Sequence, residues 1–163
     1  VIRLGWMWSG YNPTEGFFNE TYAANAVEIV NRLGDHGIYT ILDMHQDCLS
    51  SLFCVYDGMP QWVLNKSHAQ HAFPWPLGGT CDRPWGENCL AEATGRAYQD
   101  LYDNAHGMLD NMADFWVHTA HVFANNSNIL GYELINEPFP GDLYADPTIM
   151  LPGEAGHRNL QPM

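Results

Sequence analysis

Three short apolar runs, at residues 1–8, 38–44 and 129–135, alternate with stretches of helical periodicity, and this order constrains the fold more than any other property of the chain. The runs VIRLGWMW, IYTILDM and ILGYELI are nearly continuous in apolar residues, the pattern of strands covered on both faces. Between the first two, Tyr22, Ala23, Ala26, Val27, Ile29, Val30 and Leu33 recur at helical spacing over 21–33, and Gly34 and Gly37 stop the helix. The second and third are separated by an irregular interval from 48 to about 92, rich in Gly, Pro and Trp. One long helix is then expected over 94–124, with Tyr98, Leu101, Tyr102, Ala105, Leu109, Met112, Trp116 and Phe123 on a broad face. Pro138 and Pro140 end the third strand, and the remainder reads as loop. Strand, helix, strand, long loop, helix, strand makes two successive βαβ units and therefore a parallel α/β sheet.

A closed barrel of eight strand and helix units takes about 250 residues, more than the 163 present. The chain opens inside a strand-like run and stops without a closing element, so 1–163 is expected to be a fragment of a single domain. Six basic residues against nineteen acidic ones give a formal charge of −13. Such a field repels a phosphate backbone, which argues against a nucleic-acid partner. No apolar run reaches the roughly 20 residues that span a bilayer, so no transmembrane segment is expected.

All four cysteines, Cys48, Cys54, Cys81 and Cys89, fall in the irregular interval. Their even number suggests disulfides formed in an oxidising, secreted or lysosomal setting; of the three possible pairings, Cys48 with Cys54 and Cys81 with Cys89 is favoured. Asn19, Asn65 and Asn125 head N-x-S/T sequons and are candidate glycosylation sites. Neither a C-x-x-C pair nor a helical H-x-x-x-H pair is present, so no metal or other cofactor is expected.

Each strand places polar groups at or near its end: Arg3 in the first, His45 and Asp47 after the second, Asn136 and Glu137 after the third. In parallel α/β barrels the C-terminal strand ends floor the active site, so these groups read as catalytic before they read as structural. His45 and Asp47 are two apart and project to one side if strand geometry persists. Asn136 and Glu137 are adjacent, and both reach one ligand only if the chain bends there, which the following Pro138 favours. The bland alternatives are a buried structural ion pair for Arg3, a hydrogen-bonded core histidine for His45 and a turn cap for Asp47.

The segments VIRLGWMW, YTILDMHQD, GMPQWV and NILGYELINEPFPGD resemble the endoglycoceramidase branch of glycoside hydrolase family five, enzymes that cut glycosphingolipids between glycan and ceramide. The similarity covers nearly the whole chain. It implies a partial (β/α)8 TIM barrel, about strands two to four, belonging to one catalytic domain. It also implies a role for each matching residue: Glu137 as general acid/base, Asn136 at the sugar 2-hydroxyl, Arg3 steadying the nucleophilic carboxylate, His45 in the active site and Asp47 on sugar hydroxyls. Trp8 is placed beneath the site, and Trp62, Trp75, Phe73 and Trp85 either form a wall for sugar or ceramide or make a small core for the long loop.

Retaining hydrolysis needs two carboxyl groups about 5 to 5.5 Å apart, one a nucleophile and the other an acid. In the family the nucleophile comes from strand seven, and no such strand follows here. Glu133 lies deep in its strand and Glu154 has no strand around it, so neither replaces it, and the chain by itself is expected to be inactive. The resemblance implies a glycosphingolipid or other β-glycoside as substrate, with possible peripheral contact to a membrane surface. An endo-β-glucanase acting on soluble polysaccharide and a non-catalytic glycolipid-binding barrel stay open as alternatives.

Overall fold

The computed structural model describes residues 1–79 and 81–163. Ile2–Gly5 (β1), Thr40–Asp43 (β2) and Ile129–Glu133 (β3) pair in parallel in the order β1-β2-β3. The register sets Gly5, Asp43 and Glu133 in one row at the C-terminal ends. Beyond that row the ladder continues irregularly: Trp6 N donates to Asp43 O, Met44 N to Glu133 O and Asn136 N to Met44 O at 2.7, 3.1 and 3.1 Å.

The first element departs from the expectation of a buried strand over 1–8. β1 ends at Gly5 and its side chains are largely exposed, because it forms an edge of the sheet. Trp6 then leaves the sheet, and Trp8–Tyr11 makes a helical turn, α1. Both tryptophans are fully buried. The Trp6 indole donates to Thr119 Oγ1 at 2.7 Å, which satisfies the polar handle of a large buried ring.

The connection from β1 to β2 is α2, Glu20–Asp35, whose Ala23, Ala26 and Val30 form the buried face. Asn19 caps it, its Oδ1 accepting the Tyr22 amide at 3.0 Å. The connection from β2 to β3 holds two helices where one was expected over 94–124. α4 begins at Glu92 and ends at Tyr102, and the last helix, here called α5, runs over Met108–Phe123. Asn104, His106 and Gly107 have φ of 54°, 51° and 75°, left-handed values that no helix interior accommodates, and the chain turns there. A single core gathers Trp6, Trp8, Val30, Leu42, Met44 and Phe115 between the sheet and these helices.

The long interval after β2 carries a 3-10 turn at Ser51–Phe53, the short helix α3 at Gln61–Leu64 and a second 3-10 turn at Trp85–Leu90. Its disulfides join Cys48 to Cys89 and Cys54 to Cys81, not the sequence neighbours. The loop doubles back and brings the Cα atoms of those pairs to 4.9 and 5.5 Å, and separation in space decides which thiols can bond. The tail expected to be loop contains a 3-10 turn at Pro147–Met150 and a wide helical turn at Gly156–Leu160. It is tied back by Asn159, which donates to Pro140 O at 2.7 Å.

Candidate active site

Strand pairing puts Arg3, Asp43 and Glu133 on the sheet face turned away from the helices, since side chains two apart share a face. Arg3 grips Glu133 in a fork, Nε to Oε2 at 2.5 Å and Nη2 to Oε1 at 2.9 Å. The same Nη2 lies 3.1 Å from Asp43 Oδ2 and donates to Asn136 Oδ1. The hydrogen bonds to Glu133, against a smaller cost of burial, and the charges of Asp43, Glu133 and Glu137 raise the proton affinity of this guanidinium. Glu133 is therefore already engaged.

Asp43 joins this group to His45: its Oδ2 lies 2.8 Å from His45 Nδ1. Burial pushes the Asp43 carboxyl above its ordinary range, and the His45 hydrogen bond and Arg3 pull against that shift. His45 and Asp47 do come together, but in company with a third residue. One ligand-type atom from each of His45, Asp47 and Asp57 lies within 4.8 Å of the others.

The turn after β3 is fixed by Gln46, a buried side chain at the middle of a polar network. Gln46 Nε2 donates to Asn136 O and, at 3.3 Å, to Glu137 O, while Asn136 Nδ2 returns a bond to Gln46 O at 2.9 Å. Gln46 Oε1 accepts from Tyr98 Oη and from Leu49 N, both at 2.5 Å. Burial holds the Tyr98 hydroxyl well above its ordinary pKa, so it donates at neutral pH. Asn136 is thus locked from two sides and buried, whereas Glu137 is exposed at the strand mouth. Glu137 has φ of +36°, a conformation that an L side chain rarely adopts and that supplies the bend at this junction.

A model described as cellulase, glycosyl hydrolase family 5, matches residues 1–146. The chain belongs to glycosyl hydrolase family 5. Among relatives of this family-5 chain, the endoglycoceramidase of Cyanea nozakii is 46% identical over 177 residues, which cover 99% of this chain and 35% of the relative. The endoglycoceramidase of Hydra vulgaris is 44% identical over 176 residues, covering 99% and 34%. The chain spans about a third of the length of these curated relatives. Endo-glycoceramidase II from Rhodococcus sp., solved as a lactosyl-enzyme intermediate, superposes with a TM-score of 0.73 over 98% of this chain and 37% of that one; at 20% identity the likeness shows the fold. The three strands and their helices are accordingly part of a TIM barrel.

The aromatic residues divide. Trp8, expected beneath the site with a face for substrate, is enclosed in the core against Phe115 with ring centroids 5.7 Å apart, so it has no face to offer a sugar. Trp62 is half-buried and donates to Asn12 O at 3.1 Å, and Phe73 packs on Phe53. Trp75 and Trp85 are exposed; Trp75 stacks on the His71 ring at 4.0 Å. Of the sequon asparagines, Asn65 and Asn125 are exposed, while Asn19 is half-buried at the start of α2.

Asp43, Gln46, Asp57 and Glu133 also belong to the arrangement, beyond the site residues that the sequence points to. Asp43 carries a usable signal, since it stands two residues before His45 at the end of β2. Asp57 carries none, because only the folding of the long loop brings it to His45.

Proposed function

We propose that the chain supplies the acid/base part of a retaining β-glycosidase that hydrolyses the bond between oligosaccharide and ceramide in glycosphingolipids. The observation that carries this reading is an exposed Glu137 in the turn that follows β3, beside an Asn136 locked by Arg3 and Gln46, in a chain 46% identical to an endoglycoceramidase. Glu137 gives a proton to the glycosidic oxygen as a nucleophilic carboxylate attacks the anomeric carbon, and ceramide departs. In the second step Glu137 removes a proton from water, which displaces the enzyme carboxylate and frees the glycan. Asn136 holds the sugar 2-hydroxyl, Asp47 and His45 bind neighbouring hydroxyls, and Arg3 sets the positive field that steadies the nucleophile. Since Glu133 is committed to Arg3, the nucleophile in this reading lies outside these 163 residues, and the chain alone does not turn over substrate.

The test is hydrolysis of a fluorescent glycosphingolipid by the full-length protein, with Glu137→Gln lowering kcat about 10²- to 10⁴-fold, the range of general acid–base catalysis. In Glu137→Ala acting on an aryl β-glycoside whose phenolate leaves without a proton, azide is expected to attack the glycosyl-enzyme in place of water and restore turnover as a β-glycosyl azide. An unchanged rate in Glu137→Gln overturns the reading and favours a non-catalytic glycolipid-binding barrel. The description of the matching family as cellulase motivates a second reading, an endo-β-glucanase, under which carboxymethyl cellulose is cleaved and the glycolipid is not.

We further propose a secreted or lysosomal location, supported by the pairing of all four cysteines and the exposed sequons at Asn65 and Asn125. No helix among the described residues is long and apolar enough to cross a membrane. Exposed Tyr56, Trp75 and Trp85 on the long loop support peripheral contact with the lipid surface that presents the substrate.

A further inference from the structure

The loop after β2 carries Asp57 back to His45 and Asp47, and Asp57 arrives there only 2% exposed. Its Oδ1 accepts the Asp47 amide at 3.1 Å, but its Oδ2 is buried without a hydrogen-bond partner. A buried carboxylate oxygen to which nothing donates is costly and calls for a counterpart. The approach is built into the backbone. Gly58 has φ of +88°, and a Cβ there would lie 2.2 Å from Leu49 O, so no larger residue fits beside Asp57.

His45 is prepared from the other side. Asp43 Oδ2 takes the Nδ1 position at 2.8 Å and is itself held by Arg3 at 3.1 Å. A carboxylate at Nδ1 leaves Nε2 as the ring atom open to a ligand, the arrangement that stands behind metal-ligating imidazoles.

We propose that His45 Nε2, Asp47 and Asp57 Oδ2 bind one divalent cation of the zinc class. One imidazole nitrogen with two carboxylates and a water suits that ion, whereas magnesium and calcium prefer oxygen alone. Ligand-type atoms spread over as much as 4.8 Å must close toward the roughly 3.3 Å edge of a tetrahedron with 2.0 Å bonds. Asp47, half-exposed, is the side chain that swings inward. The cation neutralises two carboxylates and gives Asp57 Oδ2 its partner. Its consequence for turnover rests on the function proposed above: His45 and Asp47 cannot hold a cation and a sugar together, so zinc competes with substrate.

Calorimetric titration of the full-length protein with zinc chloride is expected to show a site that Asp57→Asn and His45→Gln each weaken at least about tenfold. Magnesium chloride should give no binding heat. Circular dichroism melts establish that each variant is folded. Zinc-edge absorption of the wild-type protein needs no variant and should show one nitrogen among oxygen ligands. Absence of a site, a site indifferent to both substitutions, or a shell of several imidazoles overturns the inference. In turnover assays zinc should raise KM and leave kcat unchanged. Because binding is read as heat, a protein that hydrolyses glycolipid without binding zinc overturns only this inference. A protein that binds zinc and hydrolyses nothing overturns only the glycosidase reading.

Discussion

Glu137 stands at positive φ with its side chain in solvent, so the chain spends stability to hold a carboxylate in place. Glycine adopts that conformation without the cost, and Glu137→Gly should raise stability relative to Glu137→Gln by about 1 kcal/mol, while both lower kcat by the same factor of about 10² to 10⁴. Urea unfolding of the two variants measures the difference, and a less stable glycine variant would count against backbone strain at this junction. Two other carboxylates respond to pH in opposite senses. Burial raises Asp57 above its ordinary value of 3.8, despite the Asp47 amide, so the folded state keeps a proton that the unfolded chain has already lost. Its contribution to stability therefore falls as pH climbs from about that ordinary value through the raised one. Glu92 is buried too, yet the His71 hydrogen bond and the Gln70 amide outweigh burial and lower it below 4.5. Its stabilisation is present above that ordinary value and is lost as pH falls through the lowered one. Melting temperatures from pH 3 to 8 should show Asp57→Asn gaining on the wild type as pH rises, and Glu92→Gln losing ground over the same range. At this scale the sequence exposes the residues that end strands, because strand order and the NEP run mark them. Gln46 and Asp57 stay hidden, since their importance lies in partners reached only after the long loop has closed.

The break between α4 and α5 is an element-scale event that periodicity conceals. Apolar residues continue at helical spacing on both sides, so Leu101, Tyr102, Leu109 and Met112 read as one face. The information lies in Asn104 and Gly107, which accept left-handed conformations. Asn104 does more than turn the chain. Its Oδ1 accepts the Leu109 and Asp110 amides at 3.0 and 3.1 Å, satisfying two of the donors left over at the start of α5. Asn104→Ala removes that acceptor and leaves alanine at positive φ, for an expected loss of about 2 kcal/mol. Gly107→Ala keeps the acceptor and incurs only the backbone cost, about 1 kcal/mol. Chemical denaturation orders the two, and a neutral Asn104→Ala would mean that the turn is held by α4 and α5 packing instead. The disulfides teach the same lesson over a longer span. Cysteine spacing favours neighbours, whereas the 3-10 turns and α3 fold the interval back on itself and exchange the partners.

For the molecule as a whole, the order β1-β2-β3 leaves the outer edges of β1 and β3 without a partner strand among the described residues. The β3 edge is also apolar: Leu130, Tyr132 and Leu134 are 58, 41 and 51% exposed, and Leu134 meets Trp116 and Val117 of α5 in a groove of about 500 Å³. Such an edge templates pairing with another chain, and no lysine, arginine or proline within β3 blunts it. Net charge opposes association at long range, but at 0.15 M salt its reach is about 8 Å, too short to keep two such edges apart. The 163-residue chain by itself is therefore expected to form oligomers that grow with concentration, seen by light scattering on a sizing column. Leu130→Lys should shift that distribution toward monomer, because it places a charge on the edge without touching the polar network around Gln46. In the full-length protein the same substitution should lower thermal stability instead, since a barrel covers the position with its next strand. A chain that stays monomeric at high concentration and melts cooperatively would show that α5 and the tail already protect the edge. That outcome would make this sheet a self-sufficient unit and not an arc that depends on the rest of a barrel.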